Sequence, residues 1–454
     1  NLNALKTADI AALSNGQIQA LSSTQLNGLT STNLMALTSG ELQGLSTAQV
    51  ANLSSTQLNQ LSTAQATALK SNELDALTSA QLNNLSSTNL QALTASQIQA
   101  LTTGQIANLS SAQLSKLTTT QIAALSGVQL AAVTTANLAG LNTADIAALS
   151  AAQVGGLTSA QLNALSSTNL VGLSTSQAGN LTATQVASLS STTLNALGTT
   201  NVAALSVNQL NALTSTQLNA LNSSNLQALT STQLQGLTAT QIGNLSSSQL
   251  NALSTGQTAE LKAAELQALT STQLNALSSN NLQALTSNQV QALSTAQVSN
   301  LSSAQLHTLI TSQVAALSGA QLASIGTANL AGLGTTDMAA LNGTQVAALT
   351  TTQLNALSTN NLKALSSSQT QSLTGSQVVG LSSTNLNVLG TANISALTAS
   401  QLGALSSTQL NALNSNNLQA LGSTQLQSLT NTQVANLSSG QLNALTTNQA
   451  TELS

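Results

Sequence analysis

The sequence predicts an all-α solenoid of very short helices, one to each eight-residue repeat. Three observations carry that prediction. Apolar residues recur with an unbroken period of eight, spaced alternately three and five apart. A hydroxyl or amide residue suited to a helix N-cap recurs with the same period. The residue three places after that cap is almost always Gln, Asn, Asp or Glu.

Leu21 to Thr30 shows the unit. Ser22 is a good N-cap, and Gln25 three residues on completes a capping box. Leu21 just before the cap and Leu26 at the fourth helical position have the spacing of a hydrophobic staple. Leu29 ends the helix, Thr30 caps the next one, and Asn33 and Leu34 repeat the pattern.

The first apolar position occupies 56 sites, at 10, 18, 26 and every eighth residue to 450. Only Ala66, Ala178, Thr258, Thr370 and Ala450 there are not Leu, Ile, Val or Met. The second occupies 57 sites, from 5 to 453, all Leu except Val133 and Ile325. At the cap position, taken from 14 to 454, Lys70, Lys262 and Ile310 interrupt the hydroxyls, amides and glycines. The phase never slips, so residues 1–454 read as one continuous array. A longer period lies on top: Ala66, Lys70, Glu73, Val133, Asp145 and Ala178 return 192 residues later as Thr258, Lys262, Glu265, Ile325, Asp337 and Thr370. The chain is thus about 2.4 copies of a 24-octad block. It opens and closes inside an octad, as expected of a window cut from a longer protein.

A single helix cannot bury this pattern. Eight residues overshoot two turns by roughly 80°, so the stripe would wind around the rod within five repeats. The chain must bend once per octad, and the cap is where it bends. Helices this short need caps, staples and neighbours. The rival is a β-solenoid, but strands want apolar residues two apart, and Ala, Leu and Gln favour helix. Two octads per layer, a 16-residue helix–turn–helix, is the expected stacking unit; three also divide 192 evenly.

Composition excludes several functions. Phe, Tyr, Trp, Pro, Cys and Arg are absent, and the net charge is −4 from five lysines and nine acids. A nucleic-acid partner would need basic patches or stacking aromatics, and neither exists. No apolar run is long enough to span a bilayer. One histidine, His307, cannot build a metal site or a triad, and the acids never cluster as calcium would require. No catalytic, cofactor or metal residues are assigned. Met35 and Met338 read as stand-ins for Leu or Ile. Asn52-Leu53-Ser54 and Asn244-Leu245-Ser246 match the N-glycosylation pattern, leaving glycans as possible attachments.

The charges have a structural reading. Asp9, Glu41, Glu73, Asp145, Glu265 and Asp337 all hold the capping-box position, where a carboxylate accepts the cap N–H and meets the positive end of the helix dipole. Lys6, Lys70 and Lys262 hold the cap, each with an acid three residues on: Asp9, Glu73 and Glu265. This predicts an ion pair bridging the corner, with the lysine also facing the negative end of the preceding helix.

Through motifs such as Ala-Leu-Thr-Ser-Thr-Gln-Leu at 212–218, the chain resembles the giant low-complexity surface or secreted proteins of bacteria. These carry runs such as Ala-Leu-Thr-Thr-Ala-Gln-Val and are described as adhesin-like. The resemblance implies an extracellular filament, sheath or coat that self-associates by stacking and lateral packing. It brings no functional residues. An adhesin stalk or a glycan- or ice-binding face of regular Ser/Thr rows is the alternative.

Overall fold

A computed structural model describes residues 2–453. Among them are 55 α-helices of four to seven residues, two 3-10 segments and no strand. Each octad holds one of these elements. The unit Ser23–Asn27 shows why it forms. Ser22 is extended (φ −72°, ψ 156°), so the chain enters the helix at an angle. Its Oγ accepts the Gln25 N–H at 3.2 Å, and Gln25 Oε1 accepts the Ser22 N–H at 2.8 Å. The Leu29 N–H closes the far end on the Leu26 carbonyl at 3.2 Å. Leu26 and Leu29 are buried, and Leu21 is half-buried.

The chain divides into two compact units, Asn1–Gln233 and Leu234–Ser454. In the first, helix Thr63–Ala68 packs between Ser39–Leu42 and Ser87–Ala92. In the second, Thr311–Ala316 packs between Ser287–Ala292 and Thr335–Ala340. The starts of these helices are 24 residues apart, so a layer holds three octads. This corrects the expected two-octad, 16-residue layer. Three short sides enclose a core that six apolar side chains per layer can fill. Two sides would leave one face of each helix pair open.

The exceptions in the core pattern are accommodated locally. Thr258 and Thr370 are buried, and each turns its hydroxyl onto a carbonyl of its own helix turn, Ser254 and Ser366, at 3.1 Å. Ala66 is also buried, and the missing side chain leaves a cavity of about 10 Å³ among Leu58, Leu61, Leu74 and Leu77. Met338 lies in the core as a stand-in for leucine. Met35 does not: it falls outside both core positions and is 52% exposed.

Two departures from the regular corner recur at the 192-residue spacing. Gly140, ending the 3-10 segment Asn137–Gly140, lies so close to the helix below that a Cβ would sit 2.2 Å from the Ser111 carbonyl; Gly332 stands in the same relation to Ser303. Gly198 and Gly390 have φ of +76° and +81°, a backbone region that side-chain-bearing residues avoid.

Candidate functional site: the amide seam between layers

No cluster of three or more His, Cys, Asp or Glu that could hold a metal occurs among the described residues. The described helices include none long and apolar enough to cross a membrane. What the fold does position, again and again, is the capping-box glutamine.

Gln105 is typical. Its Oε1 accepts the Thr102 N–H at 2.8 Å and the Thr102 hydroxyl at 3.1 Å. Its own N–H donates to the Thr102 hydroxyl at 3.2 Å. That much is the capping box. The Nε2 end points into the layer below, at the carbonyls of Leu74 (2.8 Å), Asp75 (3.2 Å) and Leu77 (2.7 Å). These belong to the end of helix Ser71–Asp75 and its corner, where intrahelical donors run out; the Leu74 carbonyl also accepts the N–H groups of Ala76 and Leu77. Gln297 in the second unit repeats the arrangement on Leu266, Gln267 and Leu269. One primary amide therefore starts its own helix and finishes the helix one layer below. It does so in near-complete burial, Gln105 being 5% exposed. Sequence reasoning found the box and missed the downward half, because the partners are backbone carbonyls, present in every octad.

Asparagine supplies a second kind of seam from the opposite direction. Asn59 Oδ1 accepts the Ser86 N–H at 2.7 Å, and its Nδ2 donates to the Asn84 carbonyl at 2.8 Å, both in the layer above. Beneath Gln57 such an asparagine takes over the cap N–H, whereas Gln241, above Asn211, keeps its own at 3.0 Å. Ser54 N–H donates to Asn27 at 2.6 Å, Gln57 keeps its Nε2 bonds to the Asn27 and Leu29 carbonyls, and Gln57 Oε1 is left without a partner.

A carboxylate at the glutamine position can accept but not donate, so the layer below needs a donor from elsewhere. Glu73 and Glu265, 1% and 2% exposed, accept the N–H groups of Lys70 and Lys262 at 2.7 and 2.8 Å. The lysine Nζ groups then donate to the carbonyls of Gln43 and Gln235. Those carbonyls lie 30 residues before the acid, the same offset as Asp75 from Gln105. Lysine and glutamate thus divide between them the donor and acceptor of one glutamine amide. Lys70 Nζ lies 3.8 Å from Glu73 Oε1, so this pair bridges the corner as expected; among the described residues Lys6–Asp9 and Lys262–Glu265 form no such ion pair, the acid in each accepting only the lysine's backbone N–H. The helix end that the lysine meets, however, belongs to the layer below and not to the preceding helix. Burial pushes both carboxyls above their ordinary value of 4.5; the N–H and the positive charge of the neighbouring lysine pull the other way.

Asp145 and Asp337 use a third solution. Each accepts its cap N–H at 3.0 Å and a hydroxyl from the layer below, Thr119 at 3.3 Å and Thr311 at 3.1 Å. Glu41 accepts both donors of Thr38 through Oε2, while its buried Oε1 has no partner. Asp9 accepts the Lys6 N–H at 3.1 Å on an exposed surface. His307 is exposed beside a hollow lined by Gly332, Gly334 and Ser358.

The model of the ALTTAQ repeat matches residues 2–39, 68–103, 96–127, 128–159, 258–295 and 346–383, a little under half of the chain. No curated protein matches. Among solved structures, one described as "Structure of APUM23-GGAAUUGACGG" aligns over 98% of this chain and 94% of its own, at 12% identity. Its TM-score is 0.16, too low to carry any argument. The matched stretches resemble the ALTTAQ repeat, and with one short helix per octad throughout, the chain is a repeat protein.

Proposed function

We propose that the array is a structural protein with no catalysis of its own, forming an extended extracellular filament, sheath or surface coat. The observation that supports this reading best is the seam. Each layer leaves helix ends that only another layer can complete, and the amides that complete them are buried. Cohesion is therefore passed along the stack, as in other repeat arrays. The outer surface has few charges, only 3% of residues being Asp, Glu, Lys or Arg, so little like-charge repulsion opposes lateral packing of one array on another. Electron microscopy of native material tests the proposal. Long uniform fibres or sheets are the expected result; discrete compact particles would overturn it.

A second reading draws on the surface hydroxyls. Ser39, Thr63 and Ser87 are exposed at the first position of helices one layer apart, giving a row of hydroxyls at regular steps. Such a row suits a glycan or an ice surface, and fits an adhesin stalk. Glycan-binding and ice-recrystallisation assays separate this reading from a purely structural role.

A further inference from the structure

The core cannot choose how many octads make a layer. Both apolar positions recur every eight residues, so a slip of one whole octad returns leucine to leucine. The glutamine seam cannot choose either, because its acceptors are carbonyls that every octad offers. Information about register must come from positions where one side chain makes a bond that a particular other side chain leaves open.

Thirteen octads carry a residue shorter than Gln or Glu, and uncharged, at the capping-box position: twelve asparagines and Thr193. An asparagine there is one methylene too short to return to its own cap N–H as glutamine does. Seven of the thirteen have an asparagine 30 residues earlier. The pairs are Asn3–Asn33, Asn59–Asn89, Asn163–Thr193 and Asn195–Asn225 in the first unit, and Asn251–Asn281, Asn355–Asn385 and Asn387–Asn417 in the second. In each, the earlier asparagine accepts the cap N–H of the later octad at 2.7–2.9 Å. It also donates to a carbonyl in that layer at 2.6–2.9 Å. It thus satisfies the N–H that the short residue leaves open.

The pairing is specific to the three-octad layer. A two-octad layer would present the residue 22 earlier and a four-octad layer the residue 38 earlier. For Asn89 these are Thr67 and Ala51, and none of the seven octads finds an asparagine at either offset. Asparagine holds 14 of the 57 sites at that octad position, so chance would place fewer than two in seven. Three of the six short octads without such a partner sit where the corner is irregular: Asn137 in the 3-10 segment, and Asn201 and Asn393 just after Gly198 and Gly390.

We infer that these seven asparagines are register marks, which fix the layer at three octads against slips of a whole octad. The inference rests on the layer geometry and not on where the array is used, so the microscopy result leaves it unaffected.

The absence of native cysteine gives a clean test in the full chain. Residues at the first helical position touch those 29 residues later, as Thr143 does Gly172 and Thr351 does Gly380. A T63C/A92C pair therefore reports the three-octad layer, while T63C/N84C and T63C/A100C report layers of two and four. In the native background only T63C/A92C should form an intramolecular disulfide. The seven asparagines are then changed to Ala and their seven short partners to Gln. Each Gln can reach its own cap, so the array should fold with native helix content by circular dichroism, yet cross-link at all three spacings. Cross-linking at 63/92 alone in that folded variant would overturn the inference. A variant that loses its helix content would count against it too, because the Gln replacements would then have failed to stand in for the marks. The asparagines would be general stabilisers and not register marks.

Discussion

The reading of Lys70 and Glu73 as a divided glutamine makes a quantitative prediction. Lys70→Ser restores a hydroxyl cap, worth about 1 kcal/mol. It also removes the Nζ donor from the Gln43 carbonyl and the cation from beside a carboxylate that is 1% exposed. A hydrogen bond from a charged donor contributes about 1.5–3 kcal/mol, to be discounted because the Lys70 side chain is 48% exposed. The ion pair at 3.8 Å adds about 0–1 kcal/mol. The expected net loss is about 1–2 kcal/mol. Adding Glu73→Gln should recover all of it, since the new amide faces the carbonyls of Leu42, Gln43 and Leu45 at the offsets used throughout the seam. Hydrogen exchange of helices Ser39–Leu42 and Ser71–Asp75 reads the change where it is made and is the assay of choice. Lys70→Ser should lower their protection about 5–30-fold, and K70S/E73Q should restore it. If the double variant exchanges as fast as the single one, the lysine is not standing in for an amide donor and the argument fails.

Other outcomes follow from the same geometry. Gln97→Glu removes the Nε2 donor from the carbonyls of Ala66 and Leu69 and buries a charge with no lysine at Thr94. It should cost about 3 kcal/mol in urea unfolding, with Thr94→Lys recovering most of the loss. Ala66→Val adds two methyl groups where the cavity beside Leu58 and Leu74 offers only about 10 Å³, so it should lower stability by about 1–3 kcal/mol; a raised midpoint would show that the neighbours open to take them. Gly390→Ala forces a side chain onto a φ of +81° and should cost about 1–3 kcal/mol, read as a lower melting temperature. Burial raises Glu73 and Glu265 above 4.5, so between 4.5 and their folded values the native state binds more protons than the unfolded chain. Their contribution to stability must then fall as pH rises through that window and stay level above it. Urea midpoints measured against an E73Q/E265Q variant should show wild type losing ground as pH rises from about 4.5, and a gain would refute the sign.

How much of this was legible in the sequence depends on what each side chain pairs with. The octad, the cap and the box could be read because Ser22, Gln25, Leu26 and Leu29 act within one short helix, where spacing dictates contact. The rule that each capping lysine has an acid three residues on was visible for the same reason. Its purpose was not, because Lys70 reaches a backbone carbonyl, and a carbonyl leaves no mark on which residue type occupies position 43. The glutamine seam is hidden in the same way: Gln105 would find acceptors above almost any octad, so nothing in the letters at 74, 75 or 77 announces it. The two-octad layer was a reasonable expectation on those terms, since leucines at every eighth residue are silent about whole-octad slips.

The asparagine pairs are the instructive contrast. Asn59 serves a cap N–H whose own capping-box residue, Asn89, is too short to serve it, so two sequence positions become dependent on each other. That dependence is written in the sequence at an offset of 30, as a short capping-box residue and a compensating amide. In a repeat with an uninformative core, layer size is therefore best sought where the regular residue is missing. A defect must be covered by a specific neighbour, and the distance to that neighbour is the length of the layer plus a fixed remainder, here 24 plus 6.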